Sequence, residues 1–173
     1  MKTSKLLTFI TSFILSINCF ASEPNGNYRF SYEANLERIN STHINNEKIE
    51  PSFFIVAVDG HSGMLAHHDN SAIIEQYQEG KRTITRVAPQ KYGYRLMIAP
   101  EPQNPGQFEK EGRINSTVSF DHSVKGQDGK ASLRSINKTV SLSLGETVEL
   151  EWVNEGQKYR LIVKLLGVHP IIQ

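Results

Sequence analysis

The clearest pattern in the chain is an alternation. Across Val148–Leu165, "VELEWVNEGQKYRLIVKL", Val148, Leu150 and Trp152 alternate with Glu149, Glu151 and Val153. After the turn "NEGQ", Tyr159, Leu161, Val163 and Leu165 alternate with Arg160 and Lys164. A period of two with one apolar face is that of a half-buried strand. Two such runs about a glycine-containing turn predict a hairpin. Its apolar face places Leu150, Trp152, Tyr159, Leu161 and Val163 in the core. Its charged face offers Glu149 and Glu151 to Arg160 and Lys164 as cross-strand pairs.

A weaker copy lies upstream. Thr83–Val87 is followed by "APQKYG" and then by Tyr94–Ile98, which predicts a second hairpin. Further strand patterns occupy Tyr28–Leu36, Phe53–Val58, Met64–His67, Asn115–Phe120 and Thr139–Leu144. The turn signals "DG", "EG", "KGQDGK" and "LGE" punctuate the chain around them. Ser71–Gly80 fits either a short helix, through Ile73, Ile74 and Tyr77, or a strand, through Ile73, Glu75 and Tyr77. Its neighbourhood favours the strand. "APEPQNPGQ" (Ala99–Gln107) holds three of the chain's 7 prolines and reads as a loop. The pattern as a whole predicts an all-β fold. It reads as a single antiparallel β-sandwich, Ig-like or barrel-like, with little or no helix in the mature chain.

The N-terminus sets the compartment. Lys2 and Lys5 precede the apolar run Leu6–Ile17, and "NCFAS" follows with Ala21 suited to cleavage. This is the layout of a secretory signal peptide over residues 1–21. The run is shorter than the roughly 20 apolar residues of a spanning helix. Residues 22–173 then form one β-rich domain, and no later run is long and apolar enough to span as a helix. Cys19 is the only cysteine, so cleavage after Ala21 leaves neither disulfide, thiol nucleophile nor thiolate ligand. A lipoprotein signal ending at Cys19 is the alternative, but Asn18 is not the small residue that normally precedes such a cysteine. An exported domain without disulfides leans towards the periplasm or secretion from a Gram-negative bacterium.

Charge then excludes a class. The chain has 19 basic and 18 acidic side chains, and the two leader lysines are among the basic ones. Lys and Arg form no cluster, so no nucleic-acid footprint is expected.

Candidate chemistry concentrates in Val58–Asp69, "VDGHSGMLAHHD", which holds three of the 6 histidines. Asp59, Gly60, Ser62 and Gly63 make a turn, so the stretch reads as a polar hairpin. Adjacent strand residues face opposite ways. His67 and His68 therefore cannot share one metal, whereas His67 and Asp69 share a face and His61 could lean across. His61, His67 and Asp69 form the candidate metal set, of a kind zinc or copper accepts. It lacks a fixed fourth ligand. "GHSGM" falls one residue short of the nucleophile elbow G-x-S-x-G. Glu109 and Glu111 sit in "FEKEG", a solvated charge run. No phosphate loop and no cofactor signature is present. The sequons at Asn40, Asn115 and Asn137 read as polar strand and turn residues.

The leading expectation is an exported, non-catalytic β-sandwich, periplasmic or secreted, that binds another envelope or extracellular protein. An accessory factor of the envelope or of a secretion system fits this description. The alternative is a periplasmic metal-binding protein using His61, His67 and Asp69. A small hydrolase with an unrecognised site comes third.

Overall fold

The computed structural model describes residues 28–39, 47–48, 52–104 and 106–171. The expected signal peptide, Cys19 within it, and Asn40 lie outside these residues. In chain order the strands are β1 (Tyr28–Ile39), β2 (Glu47–Lys48), β3 (Phe53–Val58), β4 (Gly63–Glu79) and β5 (Arg82–Pro100). The helix α1 (Gln107–Glu111) follows, then β6 (Arg113–Lys125), β7 (Ala131–Ser143), β8 (Thr147–Asn154) and β9 (Gln157–Pro170). The fold is all-β, built of two antiparallel sheets.

The first sheet runs β2-β1-β9-β8, with β3 also on the β2 side of β1. The second runs β4-β5-β6-β7. This is a meander bent at two corners: β3 leads into β4, β7 leads into β8, and β9 returns to pair with β1.

Alternation accounts for the core. On β1, Tyr28, Phe30, Tyr32, Ala34 and Leu36 are buried while Glu33 and Asn35 between them are not. Leu96 and Ile98 of β5, Ile114, Val118 and Phe120 of β6, and Leu161, Val163 and Leu165 of β9 fill the same interior. The sheets meet through side chains: Phe53 stacks on Tyr94, and Phe120 lies 5.2 Å from Trp152. One buried polar contact crosses the middle. The Tyr32 and Ser116 hydroxyls lie 2.9 Å apart and satisfy each other. Burial pushes the Tyr32 phenol up to about 12.

The β8–β9 hairpin has the expected faces. Leu150, Tyr159, Leu161 and Val163 are buried, and Trp152 is half-buried against the core. The ion pairs differ in one partner. Arg160 bonds Glu149 and also reaches Glu37 on β1, while Lys158 rather than Lys164 pairs with Glu151.

The predicted upstream hairpin is not formed. Thr83–Ile98 lies within one strand, β5, and "APQKYG" is part of it. Proline and glycine there mark strand irregularity, not a turn. Pro89 is tolerated because β5 has no partner on its far side at that level. Gly93 has φ 129°, and a Cβ there would collide with the His67 carbonyl oxygen, so the glycine permits close strand approach. The true hairpin joins β4 to β5 through Gly80–Lys81, with an unbroken register from Gly63↔Ile98 to Glu79↔Arg82.

Candidate functional site

The stretch Val58–Asp69 is a corner and not a hairpin. β3 and β4 belong to different sheets, and an isolated bridge, Val58↔His61, closes the corner ahead of β4. Gly63 allows the bend: a Cβ there would strike the Val56 carbonyl oxygen. Asp59, expected in a solvated turn, is buried and accepts a hydrogen bond from the Gln103 amide at 2.7 Å. The polar turn signal in "DGHSG" is thus spent on tying the corner to the loop that follows β5. That loop also covers this end of the core. Phe108 of α1 packs against Tyr28 and Phe30, and the Tyr28 hydroxyl donates to Glu109 at 2.5 Å. This bond holds the Glu109 carboxyl below its usual range.

The three candidate metal residues are placed as follows. His61 is exposed at the corner. His67 and Asp69 lie on one face of β4, with Nε2 and Oδ1 3.7 Å apart, and His67 stacks on Tyr94. Among the described residues, no group of three or more His, Cys, Asp or Glu side chains is placed to hold a metal ion.

A fourth histidine is placed in the interior. His122 on β6 is 5% exposed, between Phe120, Trp152 and Tyr159. Burial drives its pKa down to about 4. Its Nδ1 and the Trp152 Nε1 are buried with no hydrogen-bond partner. Next to it, Asn154 joins the two sheets. Its Nδ2 donates to the carbonyls of His122 and Ser132, and its Oδ1 accepts from the Ser132 hydroxyl.

The most distinctive feature is the far end of the β4–β5 hairpin. β6 pairs with β5 only over Gly93–Pro100. Beyond that, Asp69–Glu79 and Arg82–Tyr92 continue as a two-stranded arm roughly 35 Å long, at about 3.3 Å per residue. An isolated ribbon of this kind is marginal in water. One face of the arm is supported. Tyr92 donates to the Gly129 carbonyl, the Ala131 amide donates to Gln90, and Lys130 lies 4.0 Å from the Glu75 carboxylate, which also pairs with Arg86 within the arm.

The opposite face is bare. Ile74 and Val87 sit across from each other and are 72% and 69% exposed. Ala72 and Pro89 pair beside them, then Gln76 with Thr85 and Gln78 with Thr83. From Ala72 to Gln78 and from Thr83 to Pro89 this face carries no charge. The arm's charges Asp69, Glu75, Glu79, Arg82 and Arg86 are on the supported face, and Lys91 on the bare face stands at the arm's base, opposite Asn70.

Comparison with known proteins adds little to this geometry. No family model matches the chain, and no curated protein matches it by sequence. Among solved structures it is similar to the InvG secretin domain β-barrel from the Salmonella SPI-1 injectisome NC-base. The TM-score is 0.40 and the identity 8%, over 84% of this chain and 61% of that one. The chain thus spans about three fifths of that protein's length, and a likeness so loose assigns it no property. Among the described residues no helix is long and apolar enough to cross a membrane.

Sequence reasoning missed Ala72, Ile74, Val87 and Pro89. The signal was present in "SAIIEQ" and "RVAPQ". Both put aliphatic residues on successive positions, and therefore on both faces of a strand.

Proposed function

We propose that this is an exported, non-catalytic β-domain that binds another envelope or extracellular protein through the bare face of its β4–β5 arm. The observation that carries the reading is the Ile74–Val87 pair. Two aliphatic side chains opposite one another on a projecting ribbon gain nothing from folding of the chain alone. Covering them removes apolar surface from water, at about 25 cal/mol per Å². Isolated exposed aliphatics are ordinary on protein surfaces. A matched pair with Ala72 and Pro89 beside it, on a stretch of face without charge, is a patch with a direction. The neutral Gln and Thr residues around it supply the polar rim that protein interfaces carry.

Export follows from the expected signal peptide, and the reading places the partner in the same compartment. The test is chemical. Val87→Cys and, as a control, Ser141→Cys on the outer side of β7 are each made in a Cys19→Ser chain. Both are treated with a thiol-specific bifunctional cross-linker in the exporting cell. One discrete adduct with a protein other than the chain itself, formed at Val87→Cys and not at Ser141→Cys, is expected. Equal adducts at both positions, or none at either, would remove the arm from the reading.

A further inference from the structure

The free edge of β4 has its own character. It is the outer strand of the second sheet, and among the described residues it pairs with β5 alone apart from the corner. Long open edges are ordinarily guarded by proline, lysine or a bulge. β4 contains no proline and no basic Lys or Arg, its charged guards being the acids Asp69, Glu75 and Glu79, and its register with β5 has no shift from end to end. The free side of β5 is guarded, by Pro89, Lys91, Arg82 and Arg86. Near Gly63 the β4 edge is crowded by β3. From His67 to Glu79 it is open.

We infer that this edge pairs antiparallel with the same edge of a second copy of the chain, with Ile73 opposite Ile73. The partner is argued from register. A two-fold axis perpendicular to the sheet keeps each strand's faces on their own sides, so the axis must pass through a residue. Centring on Ala72 sets Asp69 against Glu75. Centring on Ile74 sets Asp69 against Glu79. Both put acids directly opposite, which destabilises a pair. Centring on Ser71 pushes Glu79 against Gly63, where β3 crowds the edge. Centring on Ile73 avoids all three faults. The acids Asp69, Glu75 and Glu79 then fall opposite Tyr77, Ser71 and His67. Ala72 meets Ile74, Asn70 meets Gln76, and His67 meets Glu79, each twice by symmetry. The edge is thus complementary to itself in one register among its neighbours.

Such pairing joins the two second sheets into one. It also lays the two bare arm faces side by side, so that the Ile74–Val87 patch is doubled. The inference does not rest on the proposed partner, because it uses the edge of β4 and not the arm's outer face.

The test uses single cysteines in a Cys19→Ser chain. Directly opposite residues have Cβ atoms about 4.5–5.5 Å apart, a separation that a disulfide closes after slight adjustment. Ile73→Cys is expected to oxidise to a covalent dimer. Asn70→Cys and Gln76→Cys are expected to cross-link when mixed and not separately. Gln78→Cys, which faces His68 and not itself, is expected to form no covalent dimer. Without cross-linking, sedimentation is expected to show a concentration-dependent dimer that Ile73→Lys abolishes while Trp152 fluorescence stays native. A monomer at every concentration would overturn the inference. So would Ile73→Cys cross-linking no faster than Gln78→Cys, or a dimer indifferent to Ile73→Lys. Thr85→Lys, on the bare face of β5 and made in the Val87→Cys chain, separates the two readings. It is expected to leave the dimer intact while removing the foreign adduct.

Discussion

His122 is the residue whose surroundings say most about its chemistry. It is neutral, enclosed by aromatic rings, and has no partner for Nδ1. Its pKa is about 4 in the folded chain against 6.5 ordinarily. The unfolded chain therefore takes up a proton first as pH falls, and the group's contribution is lost between about 6.5 and 4. Over that window the loss amounts to ~3 kcal/mol. Asp121 and Glu109, both held low, lose their contributions only near and below the ordinary carboxylate range. Denaturant midpoints measured from pH 7 to pH 4 are expected to fall in the native chain and to stay nearly level in His122→Phe. His61 and His67 bear on metal binding instead. His67 and Asp69 offer a metal two ligands on an exposed face, where a catalytic zinc site normally takes three from the protein. Zinc or copper titrated into the untagged chain is expected to bind weakly and equally in the His61→Ala, His67→Ala double variant. One-to-one submicromolar binding lost in that variant would restore the metal-binding alternative.

At the scale of elements, alternation was legible wherever a strand has one wet face. The β8–β9 hairpin is the best case, since Glu149 and Arg160 lie on one side and Leu150 and Leu161 on the other. Alternation does not say where a strand ends or which neighbour it pairs with. Pro89 and Gly93 looked like a turn because most prolines and glycines between strands are turns. A ribbon with one unpartnered side accommodates both. The corner at Gly63 was hidden for a related reason. Its dependence on a missing Cβ next to Val56 is a long-range contact that local composition does not record. The candidate metal residues were legible as a cluster in sequence, but His61 belongs to the corner while His67 and Asp69 belong to β4. The bare arm face shows in energetics. Replacing Ile74 and Val87 together by Thr is expected to change unfolding free energy by less than about 0.5 kcal/mol per site, as for other exposed positions. Leu161→Ala, at a fully buried position, is expected to cost about 2–5 kcal/mol. Both follow from Trp152 fluorescence during chemical denaturation.

For the molecule as a whole, the two sheets and the arm divide the work. Residues of both sheets fill the interior, and the loop containing Gln103 and Phe108 covers one end. The arm lies outside that core, attached through Tyr92, Gln90 and Glu75, and its bare face adds nothing to it. Binding and folding should therefore separate cleanly. The direct test is to shorten the arm by joining Ser71 to Gln90, which are register partners, through Asn-Gly, a sequence suited to a two-residue hairpin turn. Unfolding of the shortened chain, followed by Trp152 fluorescence, and its binding of the partner captured at Val87 are measured beside the full-length arm. The account predicts an unfolding midpoint close to that of the native chain and no retention of the partner. Undiminished binding by the shortened chain, or a core that fails to fold without the arm, would contradict it.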